Sequence, residues 1–190
     1  YCMGGWTAYH KIDQLIFLPM QSLGLAATTF VGQNLGRGLA DRARRGVRTA
    51  LLCAVAVTLA ASAVVVALAP QLVAIFNPEP RVVEFGAMFL HFLTPFYVLC
   101  CVSQVYTGAL RGAGNSKVPM VMMIFSFVVF RQCYLFVVSR FVSNTPLSMG
   151  MSYPAGWMVS SVLAALYYGH ARLEATRLVE RGEVLGAEEA

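Results

Sequence analysis

The pattern of apolar and polar positions divides this chain into five long apolar segments joined by short polar connections. The segments cover residues 9–36, 47–76, 82–110, 118–141 and 146–168. The first has no charged residue between Asp13 and Arg37, and an uncharged helix of that length crosses a hydrocarbon layer of about 30 Å. The pattern therefore predicts an all-α fold, a polytopic transmembrane bundle of about five spanning helices over residues 9–170. Residues 1–8 are predicted to form an extracellular connection and residues 171–190 a cytoplasmic tail.

Two of the predicted helices carry a polar stripe. At 100° per residue, several polar or small residues of the first segment fall within a narrow arc beside Asp13, namely His10, Gln14, Gln21, Thr28 and Gly32. A second stripe in the third segment contains Thr94, Tyr97, Cys101, Gln104 and Gly108. Polar groups are costly in hydrocarbon unless they face other helices or a watery cavity. We expect Gln14, Gln21, Thr28, Thr94, Tyr97 and Gln104 to line a substrate path; hydrogen bonding between helices is the alternative role.

Composition and charge place these segments in a membrane. Hydrophobic residues make up 58% of the chain and charged residues only 12%, which leaves too little polar surface for a water-soluble globule. The net charge of +5 does not indicate nucleic-acid binding, because the positive residues lie in the connections. Alternate connections lie on the same side of the membrane. The connections on one side contain ten Lys and Arg residues, whereas those on the other contain only Arg81 and Arg140. The richer side, with the C-terminus, is predicted to be cytoplasmic, in a plasma or inner membrane.

Apart from residues at the span edges, two charged residues lie inside the predicted spans. Asp13 is the only acidic one, and a proton or sodium site needs a carboxylate, so Asp13 is the candidate for ion coupling. Arg131 lies roughly 20 Å from the entry of its span and needs a partner inside the bundle. A structural pairing of Asp13 with Lys11, His10 or Arg131 is the alternative. The five cysteines show no CxxC pair and no His at ligand spacing, so we expect neither a metal site nor a cofactor.

Glycine-containing motifs follow the first and third segments on the predicted cytoplasmic side. One extends from Ala26 to Gly36 and contains Gly32, Gln33, Asn34 and Gly36. The other extends from Gly108 to Pro119 and contains Gly108, Arg111, Gly112 and Gly114. We interpret the glycines as tight helix exits and not as a phosphate cradle, because no strand precedes them and no Walker lysine pattern is present.

Together the two motifs resemble the multidrug and toxic compound extrusion (MATE) family, whose members have twelve spans in two six-helix lobes. The chain is similar to the second lobe from the eighth span onward. The resemblance implies a secondary active transporter, not an enzyme, that exports small organic cations by alternating access, driven by Na⁺ or H⁺. It further implies an N-terminal lobe in the same polypeptide, with membrane lipid as the surrounding partner. The family's second-lobe cation site uses acids on its seventh and tenth spans, and the segment 82–110 carries only Glu84, at its outer edge.

Other functions remain open from the residues themselves. A flippase for lipid-linked saccharides requires a strongly cationic cavity, for which Arg131 is the one candidate. A membrane-embedded enzyme requires paired acids or a cluster of His and acids at one depth, and the sequence shows neither. A purely structural subunit is the third alternative, although Pro19 and Pro95 within the two striped helices favour moving, cavity-lining elements.

Overall fold

A computed structural model describes residues 1–142, 148 and 150–170. These residues form an all-helical bundle, which confirms the predicted fold class. The α-helices are α1 (Cys2–Leu35), α2 (Ala40–Ala67), α3 (Ala69–Phe76), α4 (Pro80–Leu93), α5 (Tyr97–Gly112), α6 (Lys117–Ile124), α7 (Arg131–Val137) and α8 (Ser152–His170). A 3₁₀ turn, Thr94–Phe96, joins α4 to α5, and two π-helical segments, Phe125–Phe130 and Val138–Val142, flank α7.

The first helix is longer than the sequence predicts. It begins at Cys2, so residues 2–8 form its first turns and not a separate connection. It continues through Pro19 as one helix and ends at Leu35. The chain then turns at Gly38, whose φ of +71° lies in the left-handed region that favours glycine.

Proline positions explain the breaks in the next two predicted spans. The span 47–76 divides at Leu68 into α2 and α3, and Pro70 lies in the first turn of α3, where its missing N–H is tolerated. The span 82–110 is interrupted by the 3₁₀ turn that contains Pro95. Both breaks therefore lie beside a proline.

The fourth and fifth spans differ in their regularity. The fourth is helical from Lys117 to Val142 but widens into the two π segments, which are uncommon and frequently occur at functional sites. The fifth corresponds to α8, and residues 143–147 and 149 before it lie outside the described residues. The predicted tail, 171–190, lies outside them as well.

Four helical stretches of the described chain are long and apolar enough to cross a membrane: Cys2–Leu35, Ala40–Ala67, Pro80–Gly112 and Lys117–Arg140. The shorter helix α8 is not among them. Large apolar side chains are exposed on their outer faces, for example Leu25, Leu52 and Val121. Such surfaces suit a lipid environment, so this is a membrane protein.

Helix α1 lies at the centre of the bundle and packs against α5, α2 and α4, while α8 packs on α5. The contact between α1 and α5 depends on glycine. A Cβ atom on Gly108 would overlap the backbone of Gly24, and one on Gly112 would overlap the carbonyl oxygen of Thr28. Small residues let helix backbones approach this closely. This close contact between the backbones of α1 and α5 also sets the position of the polar side chains in the N-terminal half of α1 relative to α5.

Candidate functional site

A cavity of about 560 Å³ lies between α1, α5, α8 and the fourth predicted span. It combines one carboxyl group, several amide groups and a wall of aromatic rings. The lining residues are His10, Asp13, Gln14, Phe17, Leu18, Gln21, Cys100, Ser103, Gln104, Met123, Phe127, Tyr153 and Trp157. The volume is within the usual range for sites of small organic ligands.

Among the described residues, Asp13 is the only acidic one in the lining of this cavity. Its residue surface is 8% exposed, and its Oδ1 atom is buried without a hydrogen-bond partner in the described structure. Within the described residues, the one basic group within 4.0 Å of the carboxylate is Nδ1 of His10, 3.9 Å from Oδ2 and one turn away on the same helix, and it is cationic only when it is protonated. An unpartnered, buried carboxyl oxygen on a residue that lines a cavity marks a candidate binding group, because buried polar groups are nearly always hydrogen-bonded.

Lys11 and Arg131, the other two partners considered for Asp13, contact aromatic rings. The Lys11 ammonium lies 5.3 Å from the centre of the Phe76 ring. The Arg131 guanidinium lies 3.9 Å from the centre of the Tyr153 ring, and the ion pairs of the described residues do not include it. Arg131 lines a separate cavity of about 330 Å³ that shares Tyr153 with the first. Of the three pairings, the structure therefore supports only the one with His10.

Two tyrosines form a buried layer behind Asp13. The Tyr97 hydroxyl donates a hydrogen bond of 3.2 Å to the Tyr9 hydroxyl, and both residues are almost completely buried. The Tyr97 hydroxyl also interacts with the Asp13 carboxyl group. Tyr97 does not line the cavity itself, and neither does Thr94, whose buried hydroxyl has no partner in the described structure. Tyr97 is therefore positioned to orient Asp13 from behind.

The polar stripe of α1 divides into two parts. Gln14 and Gln21 line the cavity with Gln104 of α5, and their role in a substrate path stays a prediction. Thr28 lies outside it, since its hydroxyl donates to the carbonyl oxygens of Gly24 and Gly108 at 3.0 and 2.9 Å. The N-terminal part of the stripe thus faces the cavity, and the C-terminal part joins α1 to α5.

The aromatic wall is the feature that sequence reasoning missed. Trp157 of α8 lies with its ring centre 5.3 Å from that of Tyr97 and 6.2 Å from that of Phe17. Tyr153, one turn earlier, faces the same cavity. The spacing of these two aromatics, i and i+4, places them on one helix face and is the signal that sequence analysis had available.

The glycine motifs form turns and close helix contacts at the other end of the bundle. The Gly36 N–H donates to the Gly32 carbonyl at 2.9 Å, and the Asn34 side chain donates to the Phe30 carbonyl at 2.7 Å. Gly114 has φ +83°, and Arg111 donates to the Thr107 carbonyl at 3.3 Å. These contacts are those of helix ends. Among the described residues, no three His, Cys, Asp or Glu side chains are grouped to hold a metal ion.

Comparison with known proteins gives a consistent group of relatives. The profile of the MatE family matches residues 2–137. A probable multidrug resistance protein of Bacillus subtilis, YpnP, is 27% identical over 94% of this chain and 40% of its own length. The multidrug resistance protein PmpM of Pseudomonas aeruginosa is 31% identical over 64% of this chain and 26% of its own length. The chain thus spans well under half the length of these relatives.

Solved structures show the same fold. The eukaryotic MATE transporter AtDTX14 aligns with a TM-score of 0.85 over 94% of this chain and 40% of its own, at 19% identity. An inward-facing MATE transporter of the MOP superfamily aligns with a TM-score of 0.80 over 89% of this chain and 39% of its own, also at 19% identity. At this identity the likeness establishes the helical architecture alone.

Proposed function

Since the chain belongs to the MatE family, we propose that it forms one lobe of a secondary active transporter that exports organic cations or cationic drugs in exchange for Na⁺ or H⁺. The observation that carries this proposal is the buried carboxyl group of Asp13 in a cavity walled by aromatic rings. Two relatives are named as multidrug resistance proteins, which supports the same class of substrate.

The cavity has the chemistry to recognise a flat organic cation. Aromatic faces attract cations through the ring quadrupole, and Phe17, Tyr153 and Trp157 supply such faces. Asp13 supplies the opposite charge, and the amides of Gln14 and Gln104 supply hydrogen-bonding groups. An apolar wall with a few polar groups is the usual composition of a small-molecule site.

Coupling of drug export to ion entry depends on the Asp13 carboxylate. A negative charge inside a membrane protein needs compensation, which a bound drug cation, a proton or Na⁺ supplies equally well. If these species compete for Asp13, loading of the ion releases the drug, and the drug rebinds only after the ion has left. Antiport requires this exclusive occupancy, and alternating access exposes the loaded site to each side in turn.

The remaining elements of the transporter are part of the same proposal. A second lobe in the same polypeptide faces this one and completes the substrate path. Membrane lipid surrounds the exposed apolar helix faces, and the arginine-rich connections with the C-terminus lie on the cytoplasmic side of the plasma or inner membrane. The reaction is transport, and it needs neither a catalytic residue nor a cofactor beyond the coupling ion.

The test is ethidium efflux from cells expressing the full-length protein, with the Na⁺ and pH gradients collapsed in turn. We expect Asp13→Asn to abolish efflux at normal expression, and the gradient whose collapse stops the wild type to identify the coupling ion. Asp41→Asn is the matched control, because Asp41 is an exposed carboxylate in the first turn of α2. Normal efflux by Asp13→Asn would place coupling elsewhere in the protein. Absence of wild-type efflux under every gradient would favour the saccharide-lipid flippase.

A further inference from the structure

The hydrophobic core of the bundle divides into two clusters along its length. One cluster contains Ala69 and Val73 of α3 with buried residues of α4 and of the first turns of α1. The other contains the buried residues of α1 from Ile16 onward, those of α2 and α5, and Trp157 of α8. We call residues 2–12 of α1, together with α3 and α4, the α3–α4 unit.

The three parts of the α3–α4 unit are packed closely on one another. A Cβ atom on Gly5 of α1 would lie 2.8 Å from the backbone nitrogen of Gly86 in α4. One on Gly86 would lie 2.7 Å from a methyl group of Val73 in α3. Helix contacts that depend on glycine in this way leave little room for sliding, so the three parts form one rigid body.

Within the described residues, the chain passes between this unit and the rest of the bundle at three places. A proline lies at or shortly after each of them: Pro19 in α1, Pro70 in α3 and Pro95 in the 3₁₀ turn. Proline has no N–H group, so in an α-helix it leaves the carbonyl four residues earlier without its usual partner. Each connection can therefore bend more easily than an uninterrupted helix. The carbonyls concerned are those of Leu15, Val66 and His91.

The His91 side chain provides a replacement partner for one of these carbonyls. Its Nε2 atom lies 3.1 Å from the carbonyl oxygen of Val66. Because a carbonyl oxygen only accepts hydrogen bonds, Nε2 carries the proton and donates it. The bond takes the place of the helical bond that Pro70 cannot make. Since His91 belongs to the unit and Val66 to the rest of the bundle, it also connects the two bodies.

A second hydrogen bond crosses the same boundary beside Asp13. It runs from the Tyr97 hydroxyl of α5 to the Tyr9 hydroxyl, which belongs to the α3–α4 unit. The next residue, His10, lines the cavity at Asp13, and its ring centre lies 6.0 Å from that of Tyr153. A rotation of the unit therefore changes the wall of this cavity next to its carboxyl group.

We propose that the α3–α4 unit turns as one body about its three proline-containing connections, and that the hydrogen bond from His91 to Val66 is the latch that holds it in the arrangement described here. The turn separates Tyr9 and His10 from their neighbours on α5 and α8 and opens that end of the cavity at Asp13. The hinge is a property of the fold, whereas its gating role rests on the proposed transport function.

The experiment measures distances between spin labels on a cysteine-free variant of the full-length protein in phosphatidylcholine nanodiscs. Three exposed positions carry the labels, introduced as Leu59→Cys, Ile75→Cys and Phe92→Cys. The pair at 59 and 75 spans the boundary between α2 and α3. The pair at 75 and 92 lies within the α3–α4 unit and is the internal reference.

The test substitutions act on the latch from both sides. His91→Leu removes the donor, and His91→Gln keeps an amide donor. Pro70→Ala restores an N–H group that can pair with Val66. His170→Leu is the matched control, because the His170 ring bonds only the Leu166 carbonyl of its own helix among the described residues.

We expect one main distance across the boundary in the wild type and a second population in His91→Leu, with a melting temperature that falls by several degrees. His91→Gln should keep most of the single population, and His170→Leu should keep all of it. In the Pro70→Ala background, His91→Leu should add no second population and no further fall. The reference pair should remain unchanged in every variant.

The gating role has its own measurement. Pro70→Ala allows α2 to continue through the break, so it should slow ethidium efflux severalfold, as expected where a conformational step limits turnover. Equilibrium binding of ethidium to the purified variant should remain close to that of the wild type. Normal efflux by Pro70→Ala would overturn the gating role.

Other results would overturn the hinge itself. One is an unchanged distance across the boundary in His91→Leu, and another is an equal effect of His91→Leu with and without Pro70→Ala. A broadened reference pair would mean that the unit unfolds and does not turn as one body. If His91→Leu alone does not fold, the double variant with Pro70→Ala must fold, and its failure would also overturn the latch. A second population in His91→Leu without any wild-type efflux of ethidium would overturn the transport proposal and leave the hinge standing.

Discussion

The hydroxyl of Thr28 donates a hydrogen bond to the carbonyl oxygen of Gly108, 2.9 Å away, and so joins α1 to α5. The hydroxyl shares its proton with the carbonyl oxygen of Gly24 on its own helix, at 3.0 Å. Both glycines lie where the two backbones approach most closely. The residues that line the cavity on these helices therefore belong to one tightly packed pair.

This packing predicts that Gly108→Ala destabilises the protein. The new Cβ atom would overlap the Gly24 carbonyl, which belongs to the backbone and cannot rotate away. Overpacking of this kind costs about 1–3 kcal/mol, so the melting temperature of the full-length protein in detergent should fall by several degrees. Gly169→Ala is the matched control, since nothing lies within 4 Å of its added Cβ atom. An unchanged melting temperature for Gly108→Ala would mean that the helices can separate freely at this point.

Replacing Thr28 by valine separates its packing role from a role in the substrate path. Valine keeps the shape but removes the hydroxyl, so we expect a loss of about 1 kcal/mol in the free energy of unfolding. The apparent KM for ethidium should not change, because Thr28 lies outside the cavity. Thr29→Val is the control, since its hydroxyl bonds only within α1 and is exposed. A raised KM with unchanged stability would instead place Thr28 in the substrate path.

The stripe that contains Thr28 shows what the sequence can and cannot predict. Helical periodicity places Gln14, Gln21 and Thr28 on one face of α1, and that expectation depends only on 100° per residue. It does not say which neighbour each residue meets at its own depth. In the structure the two glutamines meet the cavity and Thr28 meets Gly108, because α1 contacts different elements along its length.

Arg131 illustrates the same limit. The need for a partner follows from its depth in an apolar segment, but the nature of the partner depends on how two distant helices pack. Within the part of the chain that the structure describes, the partner is the Tyr153 ring and not a carboxylate. The π segment Phe125–Phe130, which directly precedes Arg131, changes the direction in which later side chains point. Its apolar sequence gives no local signal for that change.

Tyr97→Phe tests the buried layer behind Asp13. The substitution removes the hydroxyl that bonds Tyr9 and interacts with the Asp13 carboxyl group, and it keeps the ring that packs on Trp157. A less constrained Asp13 should bind ethidium about fivefold more weakly, as for one lost hydrogen bond. Binding is measured on purified full-length protein.

The control for Tyr97 is Tyr106→Phe. Tyr106 lies on the same helix, and its ring stacks on Tyr168 with centres 4.8 Å apart, an interaction that phenylalanine retains. Tyr106→Phe should bind ethidium as the wild type does. Equal affinity for all three proteins would show that Asp13 is held in place without the Tyr97 hydroxyl.

Trp157 supplies the largest aromatic face of the cavity, and its removal should weaken cation binding in particular. The side chain is 4% exposed and lies between Phe17 and Tyr97. A cation over a tryptophan face gains about 0.5–2 kcal/mol, so Trp157→Leu should lower ethidium affinity by about tenfold. Trp157→Phe keeps a π face and should lose less affinity for ethidium.

Binding of a neutral aromatic compound of similar size separates the cation–π contribution of Trp157 from its apolar contact. The neutral compound loses only the apolar contact in Trp157→Leu, whereas ethidium loses both. If the cation and the neutral compound lose affinity equally, Trp157 acts through shape alone, and the charge of the substrate is recognised by Asp13 without help from the aromatic wall.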